Sequence, residues 1–282
     1  MDLHLADFTK DVHFNRLIHG QGDRVDLAAV ALEIARDEYP DLHVDEWLAR
    51  LDVMARQVRE RIAPDVGPGR VLAAISDFLF FEEGYRGNQD EYYDPRNSFL
   101  NDVLDRKLGI PITLSLVYLA IADRVGLSLR GVGLPAHFVV KYAGPDQEIF
   151  VDPFHEGAVL TREGCECRVS QVLDMPVTLT DDQLEPAPND QIVLRLLGNL
   201  KGIYLKQEDF QRALRVQQRI WAIGRSDPAE WRDLGVLYFQ TNRPTLAIRH
   251  LEAYCRMNPE GEDIETVRKV LKAAGRAQTA MN

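Results

Sequence analysis

His137 and Asp152 flank a turn signal, Ala143-Gly144-Pro145-Asp146, in a stretch rich in Val, Phe, Tyr and Ile. An imidazole beside a carboxylate can make a weak nucleophile reactive, because the ring takes the proton while the acid fixes the ring's orientation. The pair does no acyl transfer unaided. It needs a hydroxyl, a thiol or a water within hydrogen-bond reach of the imidazole. The hydroxyls nearest in pattern are Thr113 and Ser115, and the thiols are Cys165, Cys167 and Cys255. With His155 the same two residues also make a set of two nitrogens and one oxygen of the kind that holds a metal ion. His155, however, follows Pro153-Phe154 in an expected turn, and no helical His-Glu motif accompanies it, so no metal and no cofactor is expected.

The elements that must position these residues follow from periodicity. From Leu27 to Phe81 apolar residues recur at helical spacing in three stripes, broken at Pro40 and between Pro64 and Gly69, which predicts three helices. Gly84 to Pro95 has no period and reads as a loop. Ser98 can cap a helix running to about Lys107, and Pro111 can open another that ends before Gly126. After Gly126 the period becomes 2, predicting strands around Leu129 to Leu134, His137 to Tyr142 and Glu148 to Asp152. A hairpin symmetric about Gly144-Pro145 would set Lys141 opposite Glu148, Val140 opposite Ile149, Phe138 opposite Val151 and His137 opposite Asp152. Opposed Cβ atoms lie about 5 Å apart, so this register alone would bring the imidazole to the carboxylate. Gly164-Cys165-Glu166-Cys167 reads as a turn, and Asp181 to Glu185 as a solvated linker.

The chain has 282 residues, room for two domains, with Lys+Arg 33 against Asp+Glu 44 and a net charge of −11. That balance opposes nucleic acid and anionic lipid as main partners. The Met1 to Phe14 segment carries Asp2, Asp7, Lys10 and Asp11, so no secretory signal is expected, and the apolar run Leu114 to Ala122 is too short to span a membrane. With three cysteines and no disulfide framework, a cytoplasmic protein is expected. Beyond Pro188 the pattern is helical and repeats at an offset of 34, Asn199-Leu200 with Asp233-Leu234, Tyr204 with Tyr238, and Ala213-Leu214 with Ala247-Ile248. Trp231, Leu234, Gly235, Tyr238, Ala247 and Pro259 fit a tetratricopeptide unit, whose first copy has Lys201 at the Gly235 position. Two repeats are few, so the second domain is expected to pack on the first or on a second copy, which leaves a homo-oligomer open.

Asn97-Ser98-Phe99-Leu100-Asn101, Gly109-Ile110-Pro111-Ile112-Thr113-Leu114-Ser115, Gly133-Leu134-Pro135-Ala136-His137-Phe138 and Val151-Asp152-Pro153-Phe154, followed by the repeats, resemble SirB-type proteins, a transglutaminase-like core joined to tetratricopeptide repeats. The resemblance implies an α+β protein. Its first domain would be a transglutaminase-like domain over 1–186, helical over 1–83 and with an antiparallel sheet in the core at 84–186, and all-α helical hairpins would follow over 187–282. It also implies that His137 is the base and Asp152 the orienting acid of a triad whose Cys position falls on Pro111, which has no nucleophilic atom. Thr113, about 200° round the helix, should point away from the imidazole, and Ser115 lies a turn deeper. Asn97, Tyr92 and Tyr93 flank the loop before this helix and could line a peptide cleft. The expectation is a non-catalytic protein- or peptide-binding adaptor. The alternative is an amide or ester hydrolase in which His137 and Asp152 activate a hydroxyl or water.

Overall fold

The computed structural model describes residues 8–20, 25–145, 147–224 and 226–281. Asp146 of the expected turn, and Asp2 and Asp7 of the N-terminal segment, lie outside them. By contact the chain forms one unit over Asp11–Leu196 and another over Leu197–Asn282 together with residues 8–10.

The first unit begins with α1 (Val12–Ile18), α2 (Leu27–Ala35), α3 (Val44–Arg59) and α4 (Pro68–Ser76), which continues as a π-helical turn, Asp77–Glu82. The three expected helices are present, and α1 is additional. Asp26 starts α2 by accepting the N–H groups of Ala28 and Ala29, and the helix is buried on every side from Ala28 to Ala35. The loop from Gly84 holds a short strand, β1 (Arg86–Gly87), parallel to β2 (Leu108–Gly109). Between them α5 (Leu100–Arg106) has Phe99 at its N-cap position, with no side-chain cap, and not Ser98 as expected. The stronger start signal is Asp94-Pro95, which opens a 3-10 turn (Pro95–Asn97) with the Asp94 carboxylate accepting the Arg96 N–H. α6 (Pro111–Val125) opens at Pro111 as expected and closes at Gly126, whose φ of 90° ends the helix.

β3 (Arg130–Val132), β4 (Val139–Ala143), β5 (Glu148–Asp152) and β6 (Ala158–Leu160) form one antiparallel sheet in sequence order. The hairpin register is displaced by two residues from the symmetric expectation: Val140 pairs with Val151, Lys141 with Phe150, Tyr142 with Ile149, and Ala143 with Glu148. The Gly144 N–H donates to the Gln147 carbonyl at 3.0 Å, so Pro145 takes the second place of the turn. That is where its fixed φ fits; the expected register would have put it third, which a type I turn disfavours. A shift of two keeps every side chain on its face.

α7 (Arg162–Leu173) replaces the expected Gly164–Cys167 turn. The Thr161 hydroxyl caps it by accepting the Gly164 N–H, and Cys165 and Val169, four apart, face a core with Val132, Leu134, Val139 and Phe150. The expected linker is likewise structural: the 3-10 turn Asp182–Leu184 buries Leu184 in the same core.

α8 (Asn189–Lys206), α9 (Phe210–Ile223), α10 (Pro228–Gln240), α11 (Pro244–Met257) and α12 (Ile264–Met281) complete the chain. Both ends of α11 lie 34 residues beyond those of α9. At Gly235 a Cβ would stand 2.7 Å from Leu251 Cγ, so a bare backbone is what lets α10 and α11 meet. In the first copy Lys201 instead reaches Gln217 at 2.7 Å and Asp233 at 2.8 Å, a polar tie between copies where the second copy has apolar contact. Among the described residues no helix is long and apolar enough to cross a membrane.

Candidate functional site

Asp152 ends β5 with its side chain fully buried. Its Oδ1 accepts the Phe154 N–H at 3.1 Å, which starts the 3-10 turn Pro153–His155 and swings His155 back until Nδ1 lies 2.8 Å from Oδ2. His137 arrives from a second turn, Leu134 to His137, closed by the His137 N–H on the Leu134 carbonyl at 3.2 Å. Ala136 holds the third place of that turn with φ 53°, the left-handed region that favours glycine. His137 therefore precedes β4 and is not a strand residue as expected, yet its Nε2 stands 2.9 Å from Asp152 Oδ2. Arg168 of α7 brings Nε to 3.1 Å of the same oxygen.

These three approaches differ in kind. His155 makes a directed hydrogen bond, whereas His137 Nε2 and Arg168 Nε lie at ion-pair distance with their N–H vectors off the oxygen. Burial alone pushes the Asp152 pKa up, but the contacts with His137 and His155 outweigh it and hold the carboxyl well below the usual range. Asp152 is therefore an anion at neutral pH.

Aromatic rings border the couple. The Phe154 ring lies over Gly87, where a Cβ would be 2.5 Å from it, and its centroid is 6.2 Å from both Tyr92 and His137. Tyr92 is half-buried and Tyr93 exposed, 5.4 Å apart. The other expected cleft residues face inward. Asn97 is fully buried, accepting from Asn88 Nδ2 at 3.0 Å and donating to the Glu91 carbonyl at 2.7 Å, so it pins the loop. The Thr113 hydroxyl accepts the Ile110 N–H and donates to the Asn97 carbonyl at 2.7 Å, and Ser115 is fully buried. Pro111 is buried at the first position of α6.

Cys165 is buried, and burial, then the nearby Asp152 charge, pushes its thiol up to about 11. It is a neutral, inert thiol. Cys167 is exposed on α7. His137, Asp152 and His155 offer ligand atoms within 4.8 Å of one another, the one such group among the described residues. Any ion there would share Oδ2 with the Arg168 guanidinium, a cation at 3.1 Å.

Two residues beside the couple, Arg168 and Arg195, escaped the sequence pattern. Arg195, on the apolar stripe of α8 with Ile192 and Leu196, donates from Nη2 to the His137 carbonyl at 2.8 Å and lies over the Phe138 ring. A lone basic residue on an apolar helix face was the available signal.

Residues 45–198 match the model of the transglutaminase-like superfamily, and residues 200–272 match a tetratricopeptide repeat model. A UPF0162 protein of Xylella fastidiosa is 34% identical over 260 residues, 90% of this chain and 92% of that protein. Protein SirB1 of Salmonella typhimurium is 25% identical over 90% of this chain and 93% of its own length. UPF0162 protein YchA of Escherichia coli K12 is 25% identical over 85% and 88%.

Proposed function

We propose that this chain, which belongs to the transglutaminase-like superfamily and to the UPF0162/SirB1-type proteins within it, binds a protein or peptide and performs no acyl transfer. The observation that carries this reading is Pro111 at the opening of α6, the position where the superfamily resemblance calls for a thiol. Proline suits a first helical turn, since its missing N–H has no partner there anyway, but it offers no electron pair to a carbonyl. The neighbouring hydroxyls do not replace it. Thr113 is buried with its proton committed to the Asn97 carbonyl, and Ser115 is sealed in the interior. Cys165 is buried and neutral. His137 and Asp152 then act as fixed polarity beneath an aromatic surface of Tyr92, Tyr93 and Phe154.

Tetratricopeptide repeats mediate protein–protein interaction, and stacked helix pairs suit an extended segment or helix of a partner. The protein is in this reading an adaptor, with the cleft beside Tyr92 as a second peptide surface. A photoreactive residue at Tyr93, exposed in the first unit, and another at Met257, exposed on α11, test it in the full chain. The expected result is one discrete protein cross-linked from Met257, with a peptide of that partner cross-linked from Tyr93. Absence of any protein adduct from either position would overturn it.

A further inference from the structure

We propose that Arg195 is the receptor for a carboxylate carried by the segment that enters the cleft, an inference that rests on the cleft being a binding site. In the first unit the partly buried arginines come with acids. Arg36, Arg106, Arg124 and Arg168, with side chains 26%, 21%, 16% and 21% exposed, lie 2.6, 3.1, 2.6 and 3.1 Å from Asp11, Asp94, Asp52 and Asp152. Arg195 is half-buried too, yet among the described residues no carboxylate stands within ion-pair distance of it. Among the described residues its one protein acceptor is the His137 carbonyl, a neutral group that uses one of five N–H donors.

A cation withdrawn from water without a counter-ion is costly, and proteins pair such groups unless a ligand does so. Burial pulls the Arg195 pKa below the usual guanidinium value, and the titratable group facing it is Tyr92. The buried acid of the site, Asp152, is already approached by His137, His155 and Arg168. The free donors of Arg195 form a planar fork, whose match is a carboxylate taken through two parallel hydrogen bonds. Tyr92 and Phe154, 6.2 Å apart, supply the apolar wall that an extended peptide's side chains need beside that fork. A chain with a net charge of −11 does not attract acids as a whole, so recognition has to be local.

The test follows the Arg195 Nε–Hε resonance in the full-length protein by NMR during titration with three probes. These are acetyl-Gly-Gly-Leu with a free C-terminus, the same peptide as its C-terminal amide, and acetyl-Gly-Glu-Leu amide. The expected result is a saturable shift with at least one carboxylate probe and none with the amide lacking an acid. Response to the first alone identifies a chain terminus as the source, to the third alone an acidic side chain, and to both a carboxylate of either origin. Arg195→Met should weaken binding at least tenfold. Arg195→Lys keeps a donor for the His137 carbonyl and should retain weak binding, which guards against a variant that merely misfolds. An Arg195 signal unmoved by both acids up to their solubility, or moved equally by the amide, would overturn the proposal. Equal binding of the amide removes the carboxylate and leaves the cleft as a peptide site. Silence of all three removes the receptor while the cross-linking result at Met257 still decides the adaptor reading.

Discussion

Around Asp152 the Phe154 N–H and the His155 ring hydrogen-bond to one buried carboxylate, with His137 and Arg168 at ion-pair distance of it, whereas α10 and α11 meet through Gly235 laid against Leu251. The first arrangement depends on a single charge that every neighbour needs. Losing it strands several buried polar groups at once. The second is apolar contact of a kind repeated along the helices, so a local fault costs a local amount. A site that must hold an imidazole in one place is thus built differently from a surface that only needs shape.

Asp152→Asn should break the contrast most sharply, costing about 3 kcal/mol by urea denaturation, since it leaves the partly buried Arg168 beside a neutral amide. The pH dependence has a definite sign. A carboxyl whose folded pKa is depressed adds stability that is present above its ordinary value of 3.8 and is lost as pH falls through that value toward the folded one. The gap between wild type and Asp152→Asn should therefore be full at pH 7 and shrink below about pH 4. A gap that widened in acid would mean Asp152 is not held as an anion.

Next in size is the thiol. Raising Cys165 from 9.0 to about 11 leaves roughly a hundredfold less thiolate, so iodoacetamide should modify it at least that much more slowly in the native protein than after unfolding. Comparable rates would place Cys165 outside the core. Gly235→Ala should cost about 1–3 kcal/mol, because the new methyl meets both the Leu251 side chain and, at 3.1 Å, its backbone nitrogen. A neutral outcome would show that α10 and α11 can slide apart. The smallest effect is a gain: Ala136→Gly should add about 0.5–1 kcal/mol by relieving a left-handed alanine, offset by glycine's greater unfolded freedom. Loss of stability there would mean the turn before His137 is held by the methyl group.

The repeat was legible because Ala213 and Ala247, or Tyr204 and Tyr238, keep one offset through both copies, and the helices obey it. The His137 and Asp152 encounter was legible through parity alone. The two-residue register shift, set by Pro145 in its turn, preserved the face while changing every pair. What stayed hidden depends on distant chain. Arg168 and Arg195 reach the site from two helices, and no local pattern marks such a meeting, whereas His155, three residues from Asp152, was in view as a candidate metal ligand. α7 was obscured because only Cys165 and Val169 are buried, too narrow a stripe to set against the turn-like Gly-Cys-Glu-Cys. Asn97 and Thr113 carried the right residue types for a cleft, but their hydrogen bonds turn inward to hold the loop and the start of α6.

The most direct measurement is mass-spectrometric detection of product when the purified full chain is incubated with a glutamine-containing peptide, a primary amine and a simple ester, beside His137→Ala. Equal background from both proteins is the predicted result. Hydrolysis or transamidation by the wild type that disappears in His137→Ala would contradict the account, since it would mean the imidazole does have an atom to activate.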